Sequence, residues 1–155
     1  MDLYNSGCYG EDGGVHYQNL EADEYGDLNF CGISGWLGDE SRDTDWFTIT
    51  IGSSGTVNWS LNAEEETYFF ILGPQDCSSV GVLEKYLVTP CSPTVATISG
   101  TPGEVVWLWA GPTEYEPPFW FEGHEYDYIM GFEGLQEGVV ATDGASWGSI
   151  KSIYR

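Results

Sequence analysis

Apolar and polar residues alternate along the middle of the chain. Residues 46–51 place Phe47, Ile49 and Ile51 on one face and Thr48 and Thr50 on the other, the two-residue period of a half-buried strand. After Gly52-Ser53-Ser54-Gly55, residues 56–61 repeat the pattern with Val57, Trp59 and Leu61. The pair reads as a hairpin closed by a four-residue loop. Residues 68–72 form a continuous apolar run of strand length, 80–88 a weaker strand, and 94–99 a short β-branched one. Beyond the turn-forming Gly100-Thr101-Pro102-Gly103, residues 104–110 set Val106, Leu108 and Ala110 opposite Val105, Trp107 and Trp109. Residues 126–132 put Tyr126, Tyr128, Met130 and Phe132 on one side. About seven short strands, with no helical period between 40 and 135, predict an all-β antiparallel sandwich.

The two ends depart from this pattern. Residues 1–35 are rich in Gly, Asp, Asn and Tyr without a clear period, and read as an irregular, partly extended head with many turns. Residues 36–138 hold the sandwich. In the tail, 139–155, Trp147, Ile150 and Tyr154 fall at helical spacing, with Ser146 as a candidate cap and Lys151 and Arg155 where a helix dipole favours cations. So short a helix forms only when docked, and a frayed end is the other reading.

Charge narrows the function classes. The chain carries 25 Asp and Glu against 4 Lys and Arg, a formal charge of −21. Nucleic-acid binding needs basic surface to displace counterions, so no nucleic-acid partner is expected. Bound cations or salt would relieve the self-repulsion. No apolar run approaches the ~20 residues that cross a bilayer, so membrane insertion is not expected. The start, Met1-Asp2-Leu3-Tyr4, lacks the basic and apolar parts of a secretory signal; either such a signal has been removed or the chain is cytosolic.

Cysteine usage bears on that choice. Cys8, Cys31, Cys77 and Cys91 contain no close Cys-x-x-Cys pair, which disfavours a zinc knuckle. An even number in an acidic, strand-rich chain points to disulfides and a secreted or cell-surface location. Of the three connectivities, Cys8–Cys31 with Cys77–Cys91 closes the shortest segments; four reduced thiols are the alternative. Neither His16 nor His124 sits in a catalytic motif and no G-x-S-x-G occurs, so no enzyme is expected. Residues 114–127 mix acids with Tyr115, Phe119 and Trp120, an aromatic loop suited to sugar or protein; folding back over a sheet edge is the alternative. Trp147 and Tyr154 of the tail are candidate docking residues on a neighbouring copy, by strand addition or helix-in-groove.

Cys31-Gly32-Ile33-Ser34-Gly35-Trp36, followed by Arg42-Asp43-Thr44-Asp45-Trp46-Phe47, resembles the bacterial pre-peptidase C-terminal domain. Asn5-Ser6-Gly7-Cys8 resembles the start of such domains. The resemblance spans residues 2–135 and implies a jelly-roll-like sandwich related to the collagen-binding domains of bacterial collagenases. It implies calcium, with Asp43 and Asp45 as the best-matched ligands and Asp39, Asn5 and Asp2 as partners. Calcium takes six to eight oxygens, and alternate residues on an extended strand share a face, so Asp43 and Asp45 are expected side by side. Near the last strand the family's Pro-Cys-Gly is replaced by Pro117-Pro118-Phe119. The resulting expectation is a secreted, non-catalytic structural or adhesive protein, stabilised by calcium, that forms homo-oligomers as a filament or surface-assembly subunit or joins other surface proteins. A carbohydrate- or collagen-binding module is the rival.

Overall fold

The computed structural model describes residues 5–8, 13–38, 41–117 and 123–138. Among them are ten strands and no helix: β1 (Gln18–Asn19), β2 (Asp27–Trp36), β3 (Arg42–Asp43), β4 (Asp45–Thr50), β5 (Thr56–Ala63), β6 (Thr67–Gly73), β7 (Gly81–Val88), β8 (Thr94–Ser99), β9 (Val105–Pro112) and β10 (His124–Glu133). They form two five-stranded sheets. The front sheet has the order β1-β4-β9-β6-β7, the back sheet β3-β2-β10-β5-β8. Every pairing is antiparallel except the short β1–β4 contact. The chain passes repeatedly between the layers, which is the jelly-roll arrangement of an all-β sandwich.

The core lies between the sheets, where the alternation predicts it. Phe47, Ile49 and Ile51 meet Val57, Trp59 and Leu61, all at most 1% exposed. Trp59 stacks on Phe132 at 6.0 Å and meets Phe69 edge-on at 5.9 Å. The residues from Tyr126 to Phe132 that share one face are buried together.

Two local readings change. Residues 46–61 are not a hairpin. β4 pairs with β1 and β9, and β5 with β10 and β8, so Gly52–Gly55 is an arch that carries the chain from one layer to the other. The Gly52 amide donates to Gly134 O at 2.9 Å. Both strands face one core from opposite sides, and this gives the same alternation as a hairpin with both strands in one layer. Residues 27–36, read as part of an irregular head, form β2, a long strand between β3 and β10. Its pattern is masked because Gly32 and Ser34 point inward while Cys31 and Ile33 are exposed. Gly32 leaves room for Tyr128: a Cβ there would lie 2.2 Å from that ring.

The disulfide pairing also differs. Cys8 is bonded to Cys77, with Cα atoms 5.3 Å apart, and Cys31 and Cys91 are free and exposed. Cys8 packs on the outside of the front sheet, whereas Cys31 faces outward from the back sheet. Packed sheets are ~10 Å apart, beyond the ~7 Å that a disulfide spans between Cα atoms. The proposed tail helix, with Trp147 and Tyr154, lies outside the described residues. No helix among those described is long and apolar enough to cross a membrane.

Candidate functional site

The start of the chain is tied down at three points, to the loop after β6, to residue 16 and to β4. Cys8 is held by Cys77, Gly7 and His16 exchange backbone hydrogen bonds at 2.7 and 2.9 Å, and the Trp46 amide donates to Asn5 O at 2.9 Å. Gly7 has φ +60°, and a Cβ there would fall 2.0 Å from Trp46 Cδ2. Only glycine combines that left-handed backbone with so close an approach to the indole.

This anchoring brings Asn5 onto Asp45. Asn5 Nδ2 donates to Asp45 Oδ1, and the Tyr128 hydroxyl donates to Asp45 Oδ2 at 2.5 Å. Asp45 is only 5% exposed. Burial, then the charge of Asp45 and its hydrogen bond, then the charge of Asp43, drive the Tyr128 hydroxyl far above its ordinary titration range. Asp43 closes β3 opposite Gly35 in the back sheet; Asp45 opens β4 opposite Ala110 in the front sheet. The two do not share a face of one strand, because the chain crosses between layers at Thr44. Both carboxylates nevertheless act on the same hydroxyl.

Two oxygens of the anchored segment are spare. Asn5 Oδ1 and Ser6 Oγ are buried without a hydrogen-bond partner, a costly state for polar atoms. Turning the Asn5 amide over would present its oxygen to the place where Nδ2 now meets Asp45. An oxygen-rich, net-negative seam of this kind suits a hard cation. Among the described residues no three His, Cys, Asp or Glu side chains converge as a metal cluster. Asp43 and Asp45 supply two carboxylates, and Asp39 and Asp2 lie outside the described residues.

A second feature covers the outer face of the front sheet. Trp46, Phe70, Leu72 and Trp109 form a cluster separate from the main core, joined by Tyr17, Tyr68 and Trp107. Phe70 stacks on Trp109 at 4.5 Å, and Tyr17 lies 4.4 Å from Trp107. The Arg42 guanidinium sits 5.0 Å from the Trp109 ring and 4.6 Å from that of Tyr115. Its side chain donates to Pro112 O, while Nε is buried without a partner. Burial pulls the Arg42 pKa below its usual value, opposed by Tyr115. Arg42, Trp46, Phe70, Leu72, Trp109 and Tyr115 line a cleft of about 380 Å³. Tyr115, 79% exposed, stands at its rim; Phe119 and Trp120 lie outside the described residues. The sequence carried one clue to this layer: β6 is apolar at nearly every position, and β9 carries indoles opposite its core face. Strands buried on both sides read this way.

Protein-family models give no match to the chain, and neither do the curated proteins. Among solved structures the chain is similar to the crystal structure of the Yersinia pseudotuberculosis-derived mitogen, at a TM-score of 0.38 and 12% identity, over 77% of this chain and 91% of that one.

Proposed function

We propose that the protein is an extracellular, non-catalytic β-sandwich subunit of structural or adhesive type, which associates with copies of itself and is stabilised by calcium at its N-terminal seam. The observation that carries this reading is the cluster of Asn5, Asp45 and Tyr128 around a buried carboxylate, with buried spare oxygens on Asn5 and on its chain neighbour Ser6. Asp43 and Asp45 would hold the ion, with Asn5 and Ser6 completing the oxygens. The Cys8–Cys77 bond suits an oxidising compartment and keeps the segment bearing Asn5 in place. The likeness of residues 31–36 and 42–47 to pre-peptidase C-terminal domains belongs to the same reading.

The test is a calcium titration followed by thermal melting and sedimentation. Calcium should raise the melting temperature of the wild type, and Asp45→Asn should abolish the gain. An equal gain in both proteins would remove the site.

The aromatic cleft favours a second reading, a module that binds carbohydrate or a collagen-like chain. Stacking on Tyr115 and donation from Arg42 would supply the contacts. Binding on a glycan array or to a collagen-like peptide, lost in Tyr115→Ala, would support it.

A further inference from the structure

The two sheets present four edges, formed by β1, β7, β3 and β8. An edge strand exposes unpaired backbone groups, and folded proteins blunt it with shortness, charge, proline or a bulge. Three edges here are blunted. β1 and β3 have two residues each. β7 carries Glu84 and Lys85, and its register with β6 shifts so that Leu83 has no partner. β8 has none of these devices. It runs Thr94-Val95-Ala96-Thr97-Ile98-Ser99, without charge or proline, and pairs with β5 in unbroken register from Thr56↔Ser99 to Leu61↔Thr94.

The surroundings of β8 are equally unusual for a molecule of charge −21. Residues 86–103, which contain β8 and its flanking turns, include no Asp, Glu, Lys or Arg. Residues 46–63, which contain the neighbouring β5, include none either. Two copies meeting along β8 bring no carboxylate of β8 or β5 together; the nearest carboxylates are Glu104, beside Gly100 at the end of the strand, and Asp27 and Glu133, which line the outer-face pocket that Val95 shares. Ala96 and Ile98 are fixed in the core, while Val95 is 69% exposed, so the strand is rigidly held with its free edge uncovered among the described residues.

We infer that β8 pairs with β8 of a second copy, antiparallel about a two-fold axis, joining the two back sheets into one. This rests on the self-association reading above and names its interface. Strand pleating requires paired residues to lie on one face, so the axis of greatest overlap passes through Ala96 or Thr97. Val95 then faces Thr97 or Ser99 of the other copy. A two-fold contact closes on itself, so larger assemblies need a different second surface.

Sedimentation of the wild type over a range of concentrations, in low and high NaCl, tests this. The wild type should move from monomer to dimer, more readily at high salt. Val95→Glu with Thr97→Glu places carboxylates opposite one another in either register and should raise the dimer dissociation constant at least tenfold. Leu87→Glu, on the β7 edge, should leave it unchanged. As a measurement independent of any variant, hydrogen exchange of the wild type should slow at β8 amides, but not at β7 amides, as concentration rises. Dimers that survive the double substitution, or protection outside β8, would overturn the edge assignment and leave self-association standing. A wild type that stays monomeric throughout would overturn both.

Discussion

At the scale of single residues, the seam turns on Tyr128. Its hydroxyl is buried and given to Asp45. Tyr128→Phe keeps the ring but leaves a carboxylate oxygen short of a donor, and should cost about 1–3 kcal/mol in chemical denaturation. Gly32→Ala attacks the same contact from β2 by pushing into the ring, at a cost of about 1–3 kcal/mol. Tyrosines also set the alkaline limit. The hydrogen bond from Tyr86 to Glu84, then burial, raise the Tyr86 pKa to about 12. A phenol whose folded pKa exceeds its unfolded one contributes stability that is complete below the unfolded value and declines as pH rises towards the folded one. Stability should therefore fall between about pH 10, the ordinary tyrosine value, and pH 12. Ultraviolet titration should show Tyr128 ionising only with unfolding; a phenolate signal from Tyr128 in protein that retains its tertiary circular dichroism would contradict its burial against Asp45.

At the scale of elements, the alternation of β4, β5, β9 and β10 is legible because each strand has one face in a common core. The partners of a strand are not legible in the same way. An arch and a hairpin bury the same residues, so 46–61 gives no sign that its halves enter different sheets. β2 escapes notice because the side chain filling its inner face at Gly32 belongs to Tyr128, far along the chain. The disulfide fails for a related reason. Short sequence separation favours Cys8–Cys31, but the thickness of the sandwich lies between those residues. Of the proposed calcium ligands, Asp45 and Asn5 do meet, through backbone anchoring that the sequence shows only as a glycine at position 7. The disulfide closes a separation of 69 residues. Replacing Cys8 and Cys77 by Ser should cost about 4 kcal/mol by the loop-entropy relation, as measured by unfolding with and without the bond.

At the scale of the whole molecule, the charge of −21 opposes both compactness and association. Sodium chloride should raise the melting temperature smoothly, since the screening length falls from ~10 Å at 0.1 M to ~3 Å at 1 M. That rise is expected in the wild type and in Asp45→Asn alike, because screening does not depend on one carboxylate. Calcium at matched ionic strength should do more, and only in the wild type. Saturating a site at a hundred times its dissociation constant contributes about 2.7 kcal/mol, or roughly 5–10 °C for a domain of this size. The two ions therefore separate general screening from a specific seam. If calcium and sodium coincide when plotted against ionic strength, the acidic surface accounts for the whole response. If calcium alone gives a saturable further rise that Asp45→Asn removes, the spare oxygens of Asn5 and Ser6 have their cation.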